Sequence, residues 1–159
     1  MAINLQKGQR INLVKTSGST LQNICVGINW GAIEKKGFFG NTKKEAVDLD
    51  ASCALYDDNK NLIDIVYFGQ LRSKDGSIAH SGDDLTGDMG GDDGLDNEII
   101  TVDFARLNPA CSYVAFVLNS FKGQDFGTIS FASIRIYEGT PTRVNEVFAT
   151  FDIANGSGF

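Results

Sequence analysis

Apolar residues recur at every second position in several separate stretches of the chain, and this alternation limits the fold more than any other feature. The pattern runs through residues 24–30, 49–55, 100–104 and 147–153. Residues two apart on a strand point to the same face of a sheet, so each stretch is typical of a strand with one buried face. The sequence shows no amphipathic helix longer than about two turns. We therefore predict an all-β fold, an antiparallel β-sandwich of two sheets with little helix.

Other segments add detail to this fold. Residues 113–118 are apolar at every position, which predicts a central strand buried on both faces, and residues 128–137 (TISFASIRIY) form another β-rich run. The polar segment 57–61 separates two apolar runs and predicts a hairpin turn, while residues 103–108 predict a single helical turn. No internal repeat or linker divides the chain, so we expect one domain over residues 1–159.

Acidic residues are concentrated in one part of the chain. Residues 75–105 contain nine acids and neither lysine nor arginine, whereas the remaining residues include 11 acids and 14 bases. The net charge of −6 argues against a protein that holds nucleic acid or an anionic membrane by charge alone. The start of the chain has no apolar signal core, and the three cysteines lie in apolar segments, so we expect a cytoplasmic protein with reduced thiols.

Two long segments lie between the predicted strands. Residues 31–46 are rich in Gly and Lys, and residues 82–97 (GDDLTGDMGGDDGLDN) are rich in Gly and Asp. Loops of this length in a compact domain are usually functional or disordered. Two carboxylates about 7 Å apart repel by roughly 2 kcal/mol at an effective dielectric of about 20. The acidic loop must therefore either stay open in solvent or be neutralised by a cation.

The residue types around the acidic loop indicate which cation fits. Ca²⁺ takes about six to eight oxygens, and a loop that wraps the ion needs glycine at its sharp turns. No His or Cys lies between residues 83 and 98, which disfavours zinc and copper. The spacing matches no EF-hand, so the loop would bind calcium in another way. The sequence therefore predicts calcium-binding acidic loops outside the EF-hand class.

A second acidic group supports this prediction. In the strand VDLDAS two carboxylates share one face, while Leu49 between them points into the core. The predicted metal ligands are Asp48, Asp50, Asp83, Asp84, Asp88, Asp92, Asp93, Asp96 and Glu98. These carboxylates are more than one Ca²⁺ normally takes, so we expect two ions.

Several motifs resemble the TerD family of tellurium-resistance and stress proteins. The specific ones are LQKGQRINL at residues 5–13, DLDAS at 48–52, DGSIAHSGDDLTGD at 75–88 and NEII at 97–100. Weaker ones are VGINW at 26–30, FVLNSF at 116–121 and FGTISFASIRIYEG at 126–139. The resemblance spans nearly the whole chain. The segment 31–46 is long for the family and resembles the branch called TerX-like.

The resemblance implies a cytoplasmic, calcium-binding β-sandwich that bacteria make under tellurite or other chemical stress. It implies calcium ligands at Asp48 and Asp50 and, in the acidic loop, at Asp83, Asp88, Asp92, Asp93 and Glu98. The chain departs from the family pattern because its last acidic motif is split, so Asp96 can substitute for Glu98. We expect a non-catalytic stress-response module whose loops are ordered by Ca²⁺ into a surface for other stress-response proteins.

Alternative functions rest on other residues. Phe38 and Phe39 stand among lysines, which is typical of a contact site for a partner or for the inner membrane surface, as in Ca²⁺-dependent C2-like domains. A metal-dependent hydrolase would need an open metal position near His80 or Ser81. His80 is the only histidine, and we expect it on the surface or behind the metal site. DLDAS fits a phosphatase motif, but no apolar strand precedes it. The thiols lie among apolar residues, which does not favour reaction with tellurite.

Overall fold

The computed structural model describes residues 2–154, which form eleven strands and two short 3₁₀ turns. The strands are β1 (Ile3–Asn4), β2 (Asn23–Trp30), β3 (Ile33–Lys36), β4 (Thr42–Glu45), β5 (Leu49–Tyr56), β6 (Leu62–Val66), β7 (Ile78–His80), β8 (Glu98–Asp103), β9 (Tyr113–Ser120), β10 (Ala132–Thr140) and β11 (Arg143–Asp152). The 3₁₀ turns are Phe104–Arg106 and Phe126–Thr128. The predicted all-β fold and the single helical turn near residue 104 are confirmed.

The strands form two main sheets and a hairpin. The large sheet has the order β1-β11-β10-β2-β8-β7, with antiparallel pairing except between β1 and β11. The small sheet has the order β6-β5-β9, and β3 forms a two-stranded hairpin with β4. The hydrophobic core joins buried residues of β2 and β8 with those of β5 and β6, so the two main sheets pack on each other. No helix in residues 2–154 is long and apolar enough to cross a membrane.

Strand β5 follows the predicted alternation. Leu49, Ala51, Cys53 and Leu55 are all buried, while the residues between them are partly exposed. The predicted turn at 57–61 joins β5 to β6, and Lys60 takes a left-handed conformation with a φ of 63°. This alternation directs the side chains of Asp48 and Asp50 away from the core side of the strand, as expected.

The structure corrects two predictions. Residues 31–46 contain the β3–β4 hairpin instead of a long irregular loop, because residues 33–36 and 42–45 pair in register. Residues 113–118 are not a central strand: β9 pairs only with β5 among residues 2–154 and is half exposed along its length. An apolar run therefore identified a strand but not its position in the sheet.

The three cysteines differ in burial but share a raised thiol pKa. All three are free, with Cys25 and Cys53 buried and Cys111 partly exposed. Burial raises the pKa of Cys53 to about 12, and burial also raises the pKa of the other two. A thiol with a raised pKa is a weak nucleophile at neutral pH because little thiolate is present.

Candidate metal centre

Three carboxylates meet at the start of β5. One oxygen each from Asp48, Asp50 and Asp83 lies within 4.8 Å of the others, although Asp83 belongs to the distant acidic loop. Asp48 precedes β5 and Asp50 lies on it, so the two carboxylates share the face opposite to Leu49. The structure thus joins the two acidic segments that the sequence places more than 30 residues apart.

One atom of this cluster lacks a partner. Asp48 is only 5% exposed, and its buried Oδ1 has no hydrogen-bond donor among the described residues. A buried charge without a partner is costly, so a cation is the natural counterpart. Burial, followed by the charge of Asp83, raises the pKa of Asp48, and burial together with the charge of Asp48 raises the pKa of Asp50 to about 6. Neighbouring carboxyl groups with raised pKa values repel one another when all are ionised. A divalent ion bound between them stabilises the ionised form.

A second cluster lies within the acidic loop itself. Oxygens of Asp88, Asp92 and Asp93 also lie within 4.8 Å of one another, in a more exposed position. These carboxylates shape the loop as well, since Asp88 accepts a hydrogen bond from the backbone N–H of Asp93 and Asp92 accepts one from Asn29. The second cluster can hold an ion, but its exposure makes any such site weaker than the first.

Three predicted ligands, Asp84, Asp96 and Glu98, lie outside both clusters. Asp84 accepts hydrogen bonds from the backbone N–H groups of Thr86 and Gly87, and these bonds outweigh the effect of burial and lower its pKa. Asp96 forms an ion pair with Arg135 on β10, whose Nε lies 2.9 Å from both carboxylate oxygens. The carboxylates of Asp84 and Asp96 are therefore both engaged with protein groups.

The remaining predicted ligand, Glu98, connects the loop to β5. Its side chain is 1% exposed, Oε2 accepts a hydrogen bond from the backbone N–H of Ala51 at 2.8 Å, and Oε1 accepts one from Asp84 at 3.1 Å. Glu98 thus holds the backbone of both acidic segments beside the first cluster. The structure places it among structural hydrogen bonds and outside the two groups of clustered oxygens.

His80 completes the same network. Nε2 lies 3.0 Å from the carbonyl oxygen of Ala51 and 3.4 Å from Glu98, while the backbone N–H of Gly82 donates to Nδ1. This pattern corresponds to a neutral ring with its proton on Nε2. Burial lowers the pKa of His80, whereas the hydrogen bond and the charge of Glu98 raise it. The rise is larger than the decrease, so the pKa of His80 lies above its usual value. His80 is buried, so its predicted surface position is wrong. The ring instead lies behind the first carboxylate cluster, next to Ala51 and Glu98.

The acidic loop is anchored on Trp30 at the end of β2. The carbonyl of Trp30 accepts the backbone N–H of Asp88, and a Cβ at Gly87 would lie 2.3 Å from Trp30 Nε1. Asn97 donates from its side chain to Asp84 and Asp88 and accepts from the backbone of Trp30. Sequence reasoning missed Asn97 and Arg135, because nothing in their local pattern indicates that they contact the loop.

The matching sequences identify the family. Residues 1–158 match the TerD domain model. The chain is 39% identical over 140 residues to "Tellurium resistance protein TerZ" of Serratia marcescens, covering 87% of this chain and 70% of that protein. The chain belongs to the TerD family. It is also 38% identical over 151 residues to "Stress response protein SCP2" of Bacillus subtilis, with 87% and 72% covered.

A solved structure supports the TerD fold. The homologue of telluride resistance protein (TerD) from Streptomyces coelicolor superposes with a TM-score of 0.59 at 21% identity, covering 77% of this chain and 69% of that one. Identity at this level establishes similarity of fold alone. This chain therefore has a fold in common with the Streptomyces coelicolor protein.

Proposed function

We propose that this TerD-family chain is a non-catalytic stress-response module that binds Ca²⁺ at the Asp48–Asp50–Asp83 cluster. The main support is the buried, unpartnered oxygen of Asp48 beside two further carboxylates. Only oxygen ligands are present there, which suits a hard cation, and the flexible glycine-rich loop suits calcium better than magnesium. The names of its relatives, a tellurium resistance protein and a stress response protein, support the biological role.

The surroundings of His80 support a binding role over catalysis. Both ring nitrogens lie at hydrogen-bonding distance from backbone groups, and the ring is buried. A general base must be able to reach a proton of the substrate. His80 is the only histidine of the chain, and its buried ring is not accessible to a substrate. Calcium would instead close the acidic loop onto β5 and so create an ordered surface for another stress-response protein.

Calorimetric titration of Ca²⁺ into chelator-treated protein tests the proposal. We expect one tighter site and one weaker site, since the Asp88–Asp92–Asp93 cluster is more exposed. Asp50→Asn should remove the tighter site, whereas Asp58→Asn, which removes one exposed charge from the β5–β6 turn, should leave it intact. No heat and no rise in melting temperature at millimolar calcium would contradict the proposal.

Binding to a membrane surface is a second candidate, supported by the position of the β3–β4 hairpin. Phe38 and Phe39 at its tip are 100% and 89% exposed. Lys44 on β4 donates to the carbonyl of Met89 at 3.0 Å, so the hairpin lies beside the acidic loop. Co-sedimentation with phosphatidylserine vesicles, with calcium or with EGTA, tests this candidate. Phe38→Ser combined with Phe39→Ser should abolish calcium-dependent pelleting, and equal pelleting in both buffers would exclude the candidate.

A further inference from the structure

A cleft of about 770 Å³ opens beside the first acidic cluster. Asp50 belongs both to the cluster and to the wall of the cleft. The volume falls within the range of about 300–1,000 Å³ that is typical of small-molecule sites. An ion held by Asp50 would therefore lie at one end of a space large enough for an organic ligand.

Aromatic side chains enter this cleft from both edges of the small sheet. Tyr67 and Phe68 follow β6, and Phe121 follows β9, while β5 with Asp50 lies between the two strands. The three rings are 40%, 48% and 68% exposed, respectively. Flat apolar side chains in such positions bury the apolar face of a ligand at little cost in side-chain entropy.

Hydrogen bonds fix the segment that carries two of these rings. Tyr67 and Gln70 exchange backbone hydrogen bonds across a tight turn. Asp64, which is 9% exposed, accepts hydrogen bonds from the side chain of Gln70 and from the backbone of Lys74. These bonds hold the turn in one conformation, so the aromatic wall is formed before any ligand arrives.

Charge determines which headgroup fits the end of the cleft. The three carboxylates and one Ca²⁺ carry a net charge of −1, and the opposite charges of Glu98 and Lys122, which also act on Asp48, offset each other. Among the residues that line the cleft, Lys74 is the only cation, and its charge acts on the carboxyl of Asp64, which lines the same cleft. An anionic headgroup would therefore be repelled. Ca²⁺ takes about six to eight oxygen ligands, of which the three carboxylates supply about three to six. Neutral hydroxyl oxygens can supply the rest.

We infer that the cleft binds a neutral saccharide, with two adjacent hydroxyl groups on the Ca²⁺ ion and the ring against the aromatic side chains. The inference rests on the proposed calcium site and adds its ligand class. Side-chain oxygens and nitrogens along the same wall provide further hydrogen-bonding groups for hydroxyls: they belong to Ser52, Gln70, Asn119 and Ser120.

Saturation-transfer NMR with the 159-residue chain tests the inference. The probes are the methyl glycosides of glucose, mannose, galactose, fucose, ribose and N-acetylglucosamine, each with calcium or with EGTA, and inorganic phosphate serves as the anionic probe, observed by ³¹P line broadening. We expect signal transfer to at least one glycoside with calcium and none with EGTA. Phe121→Ala should weaken the binding about 3- to 10-fold without changing calcium affinity, as expected for the loss of one aromatic contact. Tyr113→Ala, which removes a half-exposed ring outside the cleft, should change neither.

The outcomes separate the inference from the proposed function. Calcium binding without transfer to any glycoside would overturn the inference and leave the calcium site intact. Calcium-dependent phosphate binding without glycoside binding would overturn it as well, because the charge argument would then be wrong. Absence of calcium binding by calorimetry would instead refute the proposed function itself. Equal glycoside binding to the Phe121→Ala variant would also overturn the inference, since the ring would not contact the ligand.

Discussion

Replacing Glu98 with Gln separates a structural role from a ligand role for this carboxylate. The amide group of Gln has one acceptor oxygen, so either the N–H of Ala51 or that of Asp84 loses its acceptor. Ala51 is 1% exposed, and water cannot replace the lost partner there. One unsatisfied buried N–H costs about 1–3 kcal/mol. For a domain of this size, such a loss lowers the melting temperature by roughly 2–12 °C.

One effect acts in the opposite direction. Removing the charge of Glu98 relieves repulsion with Asp48 and Asp50. However, Glu98 raises the pKa of these carboxyls less than burial and the nearer carboxylate do. The free energy of unfolding should therefore fall on balance.

Thermal unfolding in EGTA is the appropriate assay, because no metal then contributes. Glu34→Gln, at an exposed position of β3, is the matched control and should leave the melting temperature unchanged. A Glu98→Gln variant as stable as the wild type in EGTA, but deficient in calcium binding, would refute the structural role and make Glu98 a ligand.

Three further predictions concern the surroundings of the site. Arg135→Ala should destabilise the fold by about 3 kcal/mol in urea titrations, because the Asp96 side chain, 3% exposed, loses its ion-pair partner; Asp96→Asn should cost less and keep calcium affinity unchanged. The pKa of Asp50 is about 6 in the fold and about 3.9 in the unfolded chain, so the folded metal-free protein binds the extra proton between these values. Its free energy of unfolding relative to Asp50→Asn should therefore rise as the pH falls from about 7 to 5, and parallel pH profiles would contradict this. Gly87→Ala should weaken calcium binding at least several-fold by calorimetry, because φ is +61° and the new Cβ would contact Trp30; unchanged affinity would show that the anchor is unimportant.

Local patterns predicted the strands well because burial on one face imposes a period of two. The alternation of β5 identified both its core side and the shared face of Asp48 and Asp50. The same reasoning failed for β9, since an apolar run is compatible with a buried central strand and with an exposed edge strand. Strand position depends on pairing between distant segments, which no single segment encodes.

The sequence predicted which residues belong to the candidate site. It did not predict which of them cluster together and which bind protein groups. Charge density identified the acidic loop as a candidate cation site, because many carboxylates in one loop require compensation. The separate roles of Asp96 and Glu98 depend on Arg135 and on the backbone of Ala51, which are distant in sequence. All nine carboxylates look alike in a sequence, and only the structure distinguishes those with protein donors from those without.

The edge position of β9 has a consequence for handling the protein. Its eight residues, YVAFVLNS, include neither charge nor proline, and Tyr113, Phe116 and Val117 expose 52%, 36% and 46% of their surface. Natural sheets usually guard such an edge with lysine, proline or a bulge, since unpaired N–H and C=O groups recruit strands from other molecules. Concentrated solutions should therefore self-associate along this strand, and a lysine introduced at position 117 should keep the molecules apart.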